Sequence, residues 1–108
     1  MCIIRPAIVG SSYRDPLPGW TDTLSAGGAI IVAAGLGVVD SFPSDYESVL
    51  DFVPCDFVSH NIIVGTALQA NKPGLTICHA SAGMINPFSI KVLEINGKEY
   101  IKYQPFDN

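Results

Sequence analysis

Apolar residues along this chain fall into short dense runs separated by turn chemistry. Cys2 to Val9 (CIIRPAIV) is β-branched and nearly continuous, which is the pattern of a strand covered on both faces and central in a sheet. Pro6 cannot donate to a sheet ladder, so regular pairing should end near it. Gly10 to Trp20 (GSSYRDPLPGW) carries Ser-Ser, Asp-Pro and Pro-Gly pairs, and it predicts an irregular loop leaving the strand's carboxyl end. Ala26 to Val39 is apolar throughout, but its four glycines weaken any helix by about 1 kcal/mol each relative to alanine. A short helix over Ala29 to Ala34 is the expectation there.

Val49 to Pro54 (VLDFVP) reads as a short strand closed by proline. Asp56 should then cap a helix reaching Gln69, because a carboxylate at that position can accept from the first free amides. Within it Phe57, Asn61 and Gly65, and likewise Val58 and Ile62, recur at i, i+4 spacing. Lys72-Pro73-Gly74 stops that helix. Leu75 to Ala80 (LTICHA) is another short strand. Asn86 with Pro87 behind it predicts a second helix from Pro87 to about Ile95, ended by the turn pair Asn96-Gly97. Lys98 to Phe106 is left as an edge strand or a disordered end. The order β–loop–α–β–α–β–α predicts an α/β fold with parallel strands and packed helices, in one domain over residues 1–108. The expected core is Phe52, Val53, Phe57, Ile62 and Ile77.

Composition sharpens this picture in one respect. Hydrophobic residues make up 48% of the chain and charged ones 15%, where roughly a quarter is usual. A chain of this length should bury about two-thirds of its unfolded surface. The apolar excess fits either a buried, sheet-rich core or a piece whose apolar faces belong against other elements. A net charge of −4 and six scattered basic residues exclude a phosphate-following stripe, so no nucleic-acid partner is expected. The longest apolar stretch has 14 residues, short of the about 20 that a membrane span needs.

The candidate chemistry is defined mostly by what these residues lack. The one G-x-G, Gly35-Leu36-Gly37, has Asp40 where a dinucleotide loop needs its third glycine, and a carboxylate there repels phosphate. Four residues after Tyr13, Tyr46, Tyr100 and Tyr103 stand Leu17, Leu50, Gln104 and Asp107, so no Tyr-x-x-x-Lys pair can form. Neither a P-loop nor a G-x-S-x-G elbow occurs. Cys78 and His79 are sequence neighbours on a strand and point to opposite faces. Cys2, Cys55 and Cys78 form no CxxC, which predicts free thiols and, with His60 and His79, no metal site. No residue is assigned a catalytic role.

Three ordered stretches resemble the alcohol-forming fatty acyl-CoA reductases, the male sterility family of extended short-chain dehydrogenases. They are Ile4-Arg5-Pro6-Ala7-Ile8-Val9 followed by Arg14-Asp15-Pro16-Leu17-Pro18-Gly19-Trp20-Thr21-Asp22; then Ala34-Gly35-Leu36-Gly37-Val38 leading to Asp51-Phe52-Val53-Pro54-Cys55-Asp56; and last Ser81-Ala82-Gly83-Met84-Ile85-Asn86-Pro87-Phe88. Leu36 and Asp40 stand where that family commonly has basic residues, and Thr23 where asparagine usually follows.

The resemblance implies a partial Rossmann-like unit, the C-terminal portion of a NAD(P)-binding domain. It implies NADPH as cofactor, with weak or no binding by this chain alone, and fatty acyl-CoA as substrate of the parent enzyme. Pro6, Ala7, Ile8 and Val9 would face the nicotinamide, in keeping with the rule that ligands sit outside the carboxyl ends of parallel strands. Gly19 and Trp20 would form a wall of the acyl entrance. The family setting implies an intracellular protein, peroxisomal or associated with the endoplasmic reticulum membrane. Without the glycine-rich loop and Tyr-x-x-x-Lys these residues should be inactive alone. The alternative is a non-enzymatic remnant that binds a ligand or partner. The isolated chain is expected to self-associate or to be only partly ordered.

Overall fold

The computed structural model of the chain describes residues 1–24, 27–39, 41 and 43–104. It is an α/β arrangement of six short strands and three helices: β1 (Cys2–Pro6), β2 (Ile8–Gly10), α1 (Gly27–Gly35), β3 (Val49–Leu50), β4 (Phe52–Pro54), α2 (Cys55–Gln69), β5 (Thr76–Ala80), β6 (Phe88–Ser89) and α3 (Ile90–Tyr103). β1 ends at Pro6, the Ala7 N–H still donating to the Ala80 carbonyl at 3.0 Å, and the chain then changes partner. β1 runs parallel to β5 with Ile4 opposite Cys78, whereas β2 runs parallel to β4 with Val9 opposite Val53. The run Val49 to Pro54 is likewise two strands rather than one. β3 pairs antiparallel with β6, and Asp51 is the step between it and β4.

The helices follow the sequence in part. α1 includes the expected span Ala29–Ala34 and one or two residues beyond it at each end, while Ala26, at the head of that apolar stretch, and Asp40 lie outside the described residues. α2 ends at Gln69 as expected, but Asp56 does not cap it: the N-cap is Pro54, with no side-chain cap bond, and Asp56 lies inside the first turn. The chain passes from β4 directly into helix, leaving no extended residue at Asp56, and its carboxylate accepts three amides of another segment as well as that of Phe57 beside it. α3 departs furthest. Phe88 and Ser89 are taken into β6, the helix starts at Ile90, and it runs through Asn96-Gly97 to Tyr103. Its half-covered positions are Ile90, Leu93, Glu94, Gly97 and Ile101, an unbroken helical stripe with Gly97 on the inner side. The Glu94–Lys98 ion pair, one turn apart, spans the Asn-Gly step. Residues 98–103 are therefore helical; Phe106 lies outside the described residues.

The core is thin. Among the described residues Val53 and Ala80 are the buried apolar side chains, and Phe52 is half-buried with its ring edge-on to Phe88 at 5.9 Å. Phe57, Ile62 and Ile77, expected inside, are 44–52% exposed. α2 lies across β1 and β5 on one face, and no described element covers the other, so β1 is not covered on both faces. No described helix is long and apolar enough to cross a membrane.

One close approach is decisive for packing. A Cβ on Gly27 would overlap Phe52 Cε1 and Cζ, well inside contact distance of a ring packed edge-on to Phe88. Gly27→Ala is expected to displace the ring and cost about 1–3 kcal/mol, the usual range for overpacking. Urea denaturation should show a lowered midpoint at an unchanged slope.

Candidate functional site

The carboxyl ends of β2, β4 and β5 point the same way and open onto a groove of about 1150 Å³. Its floor is made by Val9, Gly10, Val53, Pro54 and Ala80 from those strand ends. One side is the segment after β2, with Trp20 39% exposed at the rim, and another is α1 through Ile31 and Val32. The stretch after β5 contributes Ile85 and Asn86. Among its described lining there is no Lys or Arg, and the acidic side chain is Asp22.

The segment after β2 folds back on itself. The Ser12 N–H donates to the Trp20 carbonyl at 3.0 Å, and the Gly19 N–H donates to the Ser12 carbonyl at 2.9 Å. Ser12 is 4% exposed, and its hydroxyl donates to the Leu17 carbonyl. Gly19 has φ +80°, a left-handed turn that favours glycine just before the indole. Asp56, 5% exposed, receives the amides of Tyr13, Arg14 and Asp15. These amides, Tyr13's first, pull its carboxyl down to about 2 against the opposing effect of burial. Asp51 is lowered in the same way, first by the Ser81 hydroxyl and then by the Ala82 and Gly83 amides.

A carboxyl whose folded value lies below its ordinary one stabilises the fold above that ordinary value and loses the contribution as pH falls. The hold on residues 13–15 should therefore loosen between about pH 4 and pH 2. Trp20 emission is expected to report a transition in that window, absent from Asp56→Asn.

The structure divides the expected site residues. Val9, Gly19 and Trp20 come together in the groove. Pro6 and Ala7 instead line a separate cleft of about 340 Å³ with Arg5, Asp51, His79 and Ser81. Ile8 lines neither. His79 lines both cavities and Cys78 neither. Sequence reasoning missed Ser12 and the loop-holding role of Asp51; a serine opening a Pro-Gly-rich loop was the signal available for the first.

Among the described residues lining the groove, no side-chain hydrogen bond joins a His, Cys or Tyr to a carboxylate. The Ser81 hydroxyl donates to Asp51, so it is not set against His79 as a nucleophile. Tyr46 is held above its ordinary range by the Glu94 carboxylate, the opposite of an activated phenol. The described residues include no group of three or more metal-ligating side chains.

The NAD-binding family model described as Male sterility protein matches residues 1–62, more than half of these 108. The chain belongs to the Male sterility protein family. It is 33% identical to the probable fatty acyl-CoA reductase 4 of Arabidopsis thaliana over 95% of its own length. Against fatty acyl-CoA reductase 2 it is 32% identical in Mus musculus over the whole chain, and 35% identical in Bos taurus over 81%. It spans 21%, 21% and 17% of those three proteins respectively. Membership of the Male sterility protein family agrees with the parallel strand pairs and packed helices seen here, a Rossmann-like α/β fold. An NAD-binding family implies a nicotinamide cofactor. The residues present fit only its uncharged ring, through apolar strand ends. The sequence has no glycine-rich turn, and no Lys or Arg is among the groove's described lining; Arg5 lies in the separate cleft beside Pro6 and Ala7.

Proposed function

We propose that this chain forms the acyl-binding wall of an NADPH-dependent fatty acyl-CoA reductase, with Trp20 and Gly19 against the alkyl chain. Val9 and, across the strand end, Pro6 and Ala7 would offer apolar contact to the nicotinamide, and Ile8 would support them from the sheet. The observation that carries this reading is the groove itself: apolar floor, an indole on the rim, and no basic residue among its described lining. Such a surface favours an alkyl chain over a charged headgroup, because burying phosphate without a cation or amide cradle is costly. The bound cofactor would supply hydride; these residues would orient the acyl chain and exclude water.

Trp20 is the one tryptophan of the chain, so its fluorescence reports this wall alone. Decanoyl-CoA is expected to shift its emission with a dissociation constant of about 10–100 μM, or roughly −5.5 to −7 kcal/mol. Coenzyme A alone should give no shift, and calorimetry on Trp20→Ala should show weaker binding by fivefold or more. Equal responses to coenzyme A and decanoyl-CoA would mean that the headgroup binds, and would sink the reading.

A further inference from the structure

We propose that Asp51 and Asp56 act as paired positioning residues that fix the two segments flanking the groove, and through them the Trp20 wall. The two carboxylates stand at opposite ends of β4, with the buried Val53 between them. Asp56 Oδ1 accepts from the Tyr13 amide at 3.0 Å and from the neighbouring Phe57 amide at 3.2 Å, and Oδ2 accepts from those of Arg14 and Asp15 at 2.9 and 3.3 Å. Asp51 Oδ1 accepts from the Ala82 and Gly83 amides, both at 2.9 Å, and Oδ2 from the Ser81 hydroxyl. Neither takes part in an ion pair among the described residues, so consecutive loop donors supply the counter-charge.

What distinguishes the pair from ordinary surface aspartates is how much depends on them. Among the described residues, the hydrogen bonds linking 11–24 to other segments all end on Asp56, and those linking 81–86 all end on Asp51. The first segment is closed internally by Ser12 and Trp20, so holding residues 13–15 holds the indole. The second carries Ile85 and Asn86 into the groove. Gly83 permits the approach: a Cβ there would lie 3.2 Å from Asp51 Cγ. An ionised carboxylate is acceptor-only, so three donors can converge on it; an amide would turn its own N–H groups towards one of them.

The inference deepens the acyl-wall reading and rests on it only for ligand affinity. Hydrogen exchange with mass spectrometry on the full chain tests the anchors by themselves. Asp56→Asn is expected to speed exchange tenfold or more in peptides covering 11–20 and leave 81–87 unchanged, and Asp51→Asn to do the reverse. Ser81→Ala, a milder change, should loosen 81–87 alone. A uniform acceleration across the chain in all three variants, or no local change, would overturn the proposal. Asp56→Asn should also weaken decanoyl-CoA about tenfold, which is about 1.4 kcal/mol. Unchanged affinity would overturn the positioning of the wall. If the unaltered chain binds no decanoyl-CoA, the acyl-wall reading fails, and the exchange pattern still decides the anchors.

Discussion

Incubated with palmitoyl-CoA and NADPH, the 108-residue chain is expected to form no hexadecanal and no hexadecanol above a blank preparation. Reducing a thioester to an alcohol needs a hydride source held against the carbonyl and a group that protonates the nascent alkoxide. The sequence has neither a glycine-rich loop to hold the first nor a Tyr-x-x-x-Lys pair to supply the second. No tyrosine is followed by a lysine at the fourth position, and the tyrosine whose phenol is perturbed, Tyr46, is pushed up by Glu94 rather than down. No Lys or Arg is among the groove's described lining, and Asp22 is in its wall. NADPH should therefore bind more weakly than about 10 μM, or −7 kcal/mol. Product analysis by gas chromatography and calorimetric titration check the two halves separately. Turnover would reveal a proton donor outside the groove. Tight binding without turnover would reveal an anion site that the described lining lacks.

Such an absence can be read from a string of letters, because a motif is a matter of spacing, whereas packing is not. The ordered stretches around Pro6, Trp20, Asp56 and Pro87 were enough to identify the family, and the strand-to-helix step at Pro54 followed from the same letters. What escaped was tertiary. Asp56 has the composition of a helix cap, yet three loop amides more than forty residues earlier compete for its carboxylate. Asn96-Gly97 is a strong local turn signal. It is overridden because Gly97 falls on the covered stripe of α3 and Phe88 is taken into β6. The split of Cys2–Val9 between two partners was half visible, since Pro6 marks the break but nothing local names β4 as the second partner. The groove was the least legible feature: Trp20 and Val9 meet only because Ser12 closes one loop over the ends of three strands.

The same thin packing leads to the remaining expectation, that the isolated chain self-associates. It exposes 8144 Å², where a folded monomer of its 11.5 kDa exposes about 5,800 Å². Its radius of gyration is 16.6 Å, against about 13 Å for a compact domain of this length. It therefore buries about half of its unfolded surface rather than the two-thirds expected. The excess is larger than the roughly 800 Å² per partner that a standard interface covers. Much of it is apolar: Ile62, Ile63, Val64 and Leu68 stand 49–65% exposed on α2. Among the described residues β1 pairs with β5 alone, which leaves its other edge open beside Ile3. A net charge of −4 is too small to hold such surfaces apart. Sedimentation at tens of micromolar is expected to show dimers or larger species. Ile63→Lys combined with Leu68→Glu should shift the distribution towards monomer without changing the far-ultraviolet circular dichroism, because both side chains lie on the open face of α2. A monodisperse monomer that unfolds in one cooperative transition would show that the exposed strand and helix faces are covered by another arrangement of the same chain, since an open α/β layer of this area has too little buried surface to offset an ordering entropy of about 1–2 kcal/mol per residue.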